Sequence, residues 1–300
     1  MSFFHLLEKG NLKKYTKSLI QNYAISPKKS WGQNFVIEKS VIDALLSEIA
    51  LNQKDIIVEV GSGIGTLTYF LLQSCQKVFS YELDPILSTI IKKEFIDYNE
   101  KLEVISGDFL KLELPYHQKL ISNLPYGISS PFIKKITQSK NRPDLIAVTL
   151  QSEFANHLCA KPGDPDYSRI SVYSSFFYKF EILQTFPPHF FTPRPHVHSS
   201  LVHGTKLEPP EIIRNKDFFI FLTNLFCRKH KKVRNNLQIY AKHYPKELRR
   251  FFKRELDKLE YRSNHPASLS PNEILDLFEQ FNEILVNFSP LNKNPLNFME

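Results

Sequence analysis

Apolar positions along the chain follow two rhythms. Val41, Ile42, Leu45, Leu46 and Ile49 recur at helical spacing and predict a helix over residues 40–50. The apolar run Asp55–Val60 is short, ends in glycines and reads as a buried strand. Residues 66–74 then read as a helix, 77–83 as a strand, 86–95 as a helix and 102–105 as a third strand. A fourth strand at 119–122, a helix from about Ser130 and a fifth strand at 145–150 continue the series. Strands alternating with helices predict a parallel sheet covered on both faces, an α/β architecture. Residues 170–180 are aromatic and β-branched, and with 198–203 they are expected to close the sheet as a late hairpin. From about Leu207 the pattern turns helical, with helices expected at 217–229, 231–243 and 272–285. The expected division is a basic arm with a short amphipathic helix at 1–28, an α/β domain at 29–206 and a helical domain at 207–300.

Charge changes that picture. The chain of 300 residues carries a formal net charge of +8, concentrated in two places. Between Arg228 and Arg254 eleven Lys or Arg face one acid, Glu247. The first 29 residues carry six lysines against Glu8, so the remainder of the chain is mildly acidic. Two basic blocks on such a body suit a polyanionic partner, because clustered cations neutralise phosphates and release counterions. Arg228, Lys229, Lys231, Lys232 and Arg234 are the candidate RNA-binding residues. The three cysteines, Cys75, Cys159 and Cys227, are widely spaced and contain no C-x-x-C. They exclude a disulfide framework and a zinc site and suit a reducing compartment. The ten histidines show no metal-ligand spacing, so no metal is expected. No apolar run approaches the roughly 18 residues needed to span a bilayer, and the N-terminus has no clean apolar core for a secretory signal. A cytoplasmic monomer that needs no membrane is the expectation.

Candidate chemistry gathers at the ends of the predicted strands. Glu59-Val60-Gly61-Ser62-Gly63-Ile64-Gly65 lies between the first strand and its helix. Glycines there let the backbone turn tightly and approach a ligand. The spacing is G-x-G-x-G rather than the G-x-G-x-x-G of dinucleotide binders, since position 66 is Thr. It suits a nucleoside cofactor without a pyrophosphate, such as S-adenosylmethionine. Glu82 ends the second strand, where a carboxylate can accept both ribose hydroxyls. Asp108 follows the third strand and could take the adenine amine, with Phe109 on the ring. Three such features at consecutive strand ends mark the rim where open α/β sheets bind ligands.

Asn123-Leu124-Pro125-Tyr126 ends the fourth strand. An adenine exocyclic amine is a poor nucleophile because its lone pair is delocalised into the ring. Acceptors aimed at its two N–H groups favour the pyramidal geometry it needs for attack. The Asn123 side-chain oxygen and the Leu124 carbonyl suit that role, Pro125 restricts the loop, and Tyr126 can stack on a flipped base.

With these residues in view the chain resembles the ribosomal RNA adenine dimethyltransferases, and within them the bacterial small-subunit (16S) enzyme. The resemblance runs from about Lys28 to about Leu285. It is carried by Lys29-Ser-Trp-Gly-Gln-Asn-Phe35, the glycine loop, Glu82, Asp108, Asn123–Tyr126 and Phe191-Thr-Pro-Arg-Pro-His-Val-His-Ser199. It implies a Rossmann-like S-adenosylmethionine-dependent methyltransferase domain followed by a small all-helical domain. It places Gln33, Asn34 and the Val36 backbone beside the cofactor. It sets Phe191 on the face of the target adenine opposite Tyr126; core packing beside Pro187 and Pro188 is the other reading of that ring. The implied substrate is a pair of adjacent adenines in a hairpin loop near the 3′ end of small-subunit RNA, each dimethylated in the pre-ribosomal particle.

Two other readings stand beside it. The large-subunit methylases of macrolide resistance share the glycine loop, but usually carry Ile at the position of Leu124. The segments Ala160–Val172 and Arg228–Leu237 resemble the small-subunit enzyme instead. A non-catalytic ribosome-assembly factor would have no need of Glu82, Asp108 and the full Asn-Leu-Pro-Tyr. The chain departs from the family at His230, His196 and His198 and in its long N-terminal segment.

Overall fold

The computed structural model describes residues 3–28, 31–214 and 216–288. Lys29 and Ser30 of the expected motif, and residues 289–300 of the expected helical domain, lie outside the described residues. In chain order the helices are α1 (Phe4–Glu8), α2 (Leu12–Asn22), α3 (Lys39–Ser47), α4 (Thr66–Ser74), α5 (Pro85–Glu94) and α6 (Ser129–Gln138). They continue with α7 (Ser152–Cys159), α8 (Arg169–Ser175), α9 (Lys216–Phe226), α10 (Val233–Leu237), α11 (Lys246–Leu256) and α12 (Pro271–Phe288). The strands are β1 (Phe35–Val36), β2 (Ile56–Val60), β3 (Lys77–Glu82), β4 (Leu102–Ser106), β5 (Lys119–Asn123), β6 (Leu145–Gln151), β7 (Tyr178–Phe186), β8 (Phe191–Thr192) and β9 (Ser199–Lys206).

Seven strands form one sheet in the order β4-β3-β2-β5-β6-β9-β7. β2 to β6 run parallel, and β9 joins β6 antiparallel, pairing Val148 with Val202. This is the Rossmann-like sheet that the sequence predicts. The order reverses between β2 and β5, and at that switch point an open α/β sheet offers its ligand crevice. Burial explains the strand sequences. Ile57, Val58, Leu120, Ile121, Ile146 and Val148 have no exposed surface, because helices cover both faces.

Backbone contacts divide the chain into two compact units, one from Met1–Ala155 and Lys179–Lys206, the other from Asn156–Tyr178 and Leu207–Glu300. The sequence reading placed 156–178 with the sheet. In the structure Gly163 N–H donates to Ala267 O at 2.8 Å and the Tyr167 hydroxyl to Leu269 O at 3.0 Å, which ties this segment to the helical unit. Residues 170–180 are not one arm of a hairpin. Ser168 and Ser171 form a capping box that starts α8, and only from Tyr178 does the chain become strand. β9 then carries the expected late strand.

The N-terminal segment is also not an arm. Leu7, Leu12, Tyr15 and Leu19 are buried in the main core, while Lys13, Lys14 and Lys17 stay exposed on the other face of α2. The alternation is that of an amphipathic helix docked on a core. Each such apolar side chain buried contributes about 1.5–3 kcal/mol. In the helical unit the expected helix at 231–243 is α10 followed by a 3₁₀ segment, Gln238–His243. α9 stops at Phe226, so Arg228 and Lys229 sit in a turn. Buried Asn236 holds that turn, donating from Nδ2 to Leu225 O at 2.8 Å and Arg228 O at 3.2 Å. The described residues contain no helix long and apolar enough to cross a membrane, and no cluster of His, Cys, Asp and Glu able to hold a metal.

Candidate active site

At the switch point the strand ends open into a cavity with about 920 Å³ of empty space, its open mouth included. That is the size of a small-ligand pocket. Its walls include Gln33, Asn34, Val36, Glu59, Gly61, Gly63, Glu82, Asp108, Phe109, Asn123 and Pro125. Residues distant in sequence therefore meet as expected. Leu124, Tyr126, Gly65 and Phe191 are not among the walls.

The glycine loop follows β2. Gly61 and Gly65 have φ of 76° and 80°, a region that costs a side chain strain. A Cβ on Gly61 would stand 2.9 Å from the Pro125 ring, so this glycine lets the two loops touch. A Cβ on Gly65 would stand 2.5 Å from the Phe95 ring. Gly65 therefore serves helix packing at the start of α4 rather than the cofactor directly.

Glu82 is 5% exposed. Its Oε2 accepts from Gly63 N–H and its Oε1 from Asp84 N–H, both at 2.8 Å. Burial pushes its carboxyl up to about 6, against the pull of those backbone donors. Leu83 N–H also leans on this carboxylate, and of its roughly four lone-pair sites capacity remains for a ligand hydroxyl. Glu59 is fully buried, and its Oε2 takes hydroxyl protons from Thr68 at 2.6 Å and Ser80 at 2.9 Å. Desolvation holds its carboxyl near 7 despite these donors. Asp108 caps its own turn through Leu110 N–H at 3.0 Å, and the Phe109 ring packs edge-on against Tyr81.

Gln33 faces the cavity, and its carboxamide is also tied to protein. Its Oε1 accepts from Lys28 N–H at 2.7 Å and its Nε2 donates to Asp84 at 3.3 Å. Lys28 Nζ lies 3.0 Å from the same carboxylate. Asp84 is also the N-cap of α5, so it anchors the segment over the cavity to the sheet. The sequence reading did not single out Asp84. Its signal was the Asp-Pro pair that opens a helix.

The Asn123 amide is held at both ends. Nδ2 donates to Asn34 O at 2.8 Å, and Oδ1 accepts from the Thr149 hydroxyl at 2.6 Å. Asn34 O can only accept, so the nitrogen must face it and the oxygen must face Thr149. Thr149 is fully buried and lies beside Asn123 in the β5–β6 register. The sequence reading missed it, because pairing across strands is invisible in one strand. Tyr126 is partly buried, its hydroxyl hydrogen-bonded to Ser199.

Phe191 departs from its expected place on an adenine face. It is 2% exposed within the main core, and β8 pairs it with Val36 of β1. The buried area of a phenylalanine ring explains the preference.

The family model of the ribosomal RNA adenine dimethylases matches residues 25–282. The chain belongs to the ribosomal RNA adenine dimethylase family. A small-subunit methyltransferase A homologue from Methanococcoides burtonii is 40% identical, over 73% of this chain and 80% of that protein. A ribosomal RNA small subunit methyltransferase A from Halothermothrix orenii is 32% identical, over 74% of this chain and 77% of that protein. Among solved structures, a dimethyladenosine transferase from Plasmodium falciparum superposes with TM-score 0.72 at 24% identity, over 83% of this chain and 98% of that one. The 23S rRNA methyltransferase ErmE superposes at 0.60 with 24% identity, over 83% of this chain and all of that one. Both structures share the methyltransferase fold of this dimethylase.

The five cations expected on RNA stand differently in the helical unit. Lys229 Nζ donates to Pro165 O at 2.6 Å, Arg228 to Asn235 O at 3.3 Å, and Arg234 is paired with Asp257. Lys231 and Lys232 are exposed, with no ion pair among the described residues.

Proposed function

We propose that the chain dimethylates the N6 amines of adenines in small-subunit ribosomal RNA, using S-adenosylmethionine. The observation that carries this is the cavity wall. Among the described residues that line it are three carboxylates, Glu59, Glu82 and Asp108, and no Lys or Arg. Such a wall suits a cationic nucleoside and not a pyrophosphate. Glu82 has acceptor capacity left for a ribose hydroxyl, and Phe109 and Asp108 of the same wall suit an adenine ring and its amine. When bound, S-adenosylmethionine supplies a methyl group on a sulfonium.

The chain's own residues supply position and polarity. Asn123 Oδ1 keeps one lone pair after bonding Thr149, and the Leu124 carbonyl follows directly after that strand. Both can accept from the two N–H groups of an entering adenine. The fixed amide costs no reorganisation when the amine begins to pyramidalise. Pro125, pressed against Gly61, keeps the acceptor loop near the cofactor loop, which supports in-line attack by proximity.

The named relatives support the small subunit as substrate, and adjacent adenines in a hairpin loop near its 3′ end are the proposed target. Lys231 and Lys232 would grip phosphates of the pre-ribosomal particle in the cytoplasm, a contact that sets affinity rather than base choice. The test is product analysis. Wild-type protein should convert adenine in unmethylated small subunits to N6,N6-dimethyladenosine. Asn123→Ala should keep S-adenosylmethionine binding by calorimetry and lose most turnover; full turnover would remove the amine-polarising role.

A further inference from the structure

Tyr15 lies ten residues before the matched family region begins at residue 25. It has no exposed surface, and its hydroxyl donates to Ile64 O at 2.9 Å. Ile64 is the residue between Gly63 and Gly65, and it lines the cavity. Burial pushes the phenol of Tyr15 far above its ordinary range, so the hydroxyl keeps its proton and acts as a donor.

A second path reaches the same loop. The Phe4 ring of α1 packs on Phe95 with centroids 4.6 Å apart, and Phe95 fills the space that Gly65 leaves open. Two further polar ties hold the N-terminal helices to this unit. The Tyr23 hydroxyl donates to Glu94 at 2.5 Å, and the Tyr69 hydroxyl to Glu8 at 3.3 Å.

We infer that α1 and α2 are a clamp on the cofactor loop, with Tyr15 as its positioning residue. The Ile64–Gly65 peptide that Tyr15 holds by its carbonyl also donates from Gly65 N–H to Ser62 O at 2.9 Å, so the Tyr15 hydroxyl is a second anchor on a glycine-flanked turn. Gly63, the neighbour on one side, gives its N–H to Glu82. The Gly65–Ser62 bond closes the turn that contains Gly63, so holding the Ile64 carbonyl buttresses the turn whose N–H orients the proposed ribose-binding carboxylate. The clamp pre-organises the loop, so its loss costs cofactor affinity and leaves the chemistry at Asn123 untouched.

This inference rests on reading the cavity as the S-adenosylmethionine site. The test compares wild type, Tyr15→Phe and Leu6→Ala in the full chain. Tyr15→Phe deletes one oxygen and keeps the ring in the core. Leu6→Ala loosens α1 and keeps the hydroxyl. Calorimetric titration with S-adenosylmethionine should show Tyr15→Phe weaker by roughly three- to tenfold, the worth of one lost buried hydrogen bond. The KM for cofactor should rise alike, with kcat at saturating cofactor unchanged. Amide hydrogen exchange at residues 61–66 should quicken in the ligand-free variant. Leu6→Ala should lower the melting temperature with a smaller loss of affinity. Unchanged affinity and exchange in Tyr15→Phe would overturn the clamp, and an equal loss of affinity in Leu6→Ala would overturn Tyr15 as its positioning residue. If wild type itself failed to bind S-adenosylmethionine, the functional reading would fall, and loop exchange would still decide the clamp.

Discussion

Asn123 shows how much chemistry rests on one fixed amide. Its type and place at a strand end were readable from the chain; the hydroxyl that orients it was not, since Thr149 is 26 residues away and meets it only through β-sheet register. Thr149→Val keeps the shape and removes the donor. It should lower kcat by about three- to tenfold with cofactor affinity unchanged, and an unaltered kcat would assign Thr149 to packing. Glu82 adds a pH dependence. Burial holds its carboxyl at about 6, and the proposed ribose hydroxyl would donate to the ionised form. Ligand binding must then lower this value, so cofactor affinity should be full at pH 8 and fall as pH drops through about 6. Glu82→Gln should bind weakly at all pH values and lose that titration; a Gln variant that kept it would move the dependence to another group. Phe191 is the opposite lesson. Its motif suggested a base platform, while its ring lies in the core. Sequence spacing locates a loop, and only packing decides which way its aromatic points.

At the scale of elements, periodicity located β2 to β6 and their helices to within a residue or two. β2, β5 and β6 are central strands buried almost throughout, so their apolar character is plain, while β4 at the sheet edge is only partly buried. It failed where polar contacts overrule the pattern. Residues 170–180 have strand composition, but the Ser168–Ser171 capping box begins a helix there. α11 escaped because charge dominates Lys246–Leu256, with Phe252 and Leu256 buried on one narrow face. In α2 the charge of the lysines masks the helical spacing of Leu12, Tyr15 and Leu19, which docks it on the core. Gly65 belongs to this scale, since its role is the join of β2 to α4. Gly65→Ala would push a methyl into the Phe95 ring at a left-handed position. Denaturant unfolding should show a loss of about 1–3 kcal/mol or more. A variant as stable as wild type would show that Phe95 can move aside at no cost.

Across the whole molecule, charge differs between the two units. The cavity in the sheet unit is walled by carboxylates, and the helical unit carries the denser basic block. That block was plain in the sequence, but the internal partners of Arg228, Lys229 and Arg234 were not. Reversing Lys231 and Lys232 to Glu should weaken RNA binding and flatten its salt dependence, as lost phosphate contacts do. Reversing Arg234 should also lower stability, because it breaks the pair with Asp257. Equal salt slopes in wild type and the Lys231/Lys232 variant would place the RNA contact elsewhere. The substrate itself is tested most directly by methyl transfer from labelled S-adenosylmethionine, with unmethylated small subunits, large subunits and free adenosine side by side. The account predicts label in small-subunit RNA as N6,N6-dimethyladenosine and none in the other two. Label in large-subunit RNA, or none anywhere while cofactor still binds, would contradict it.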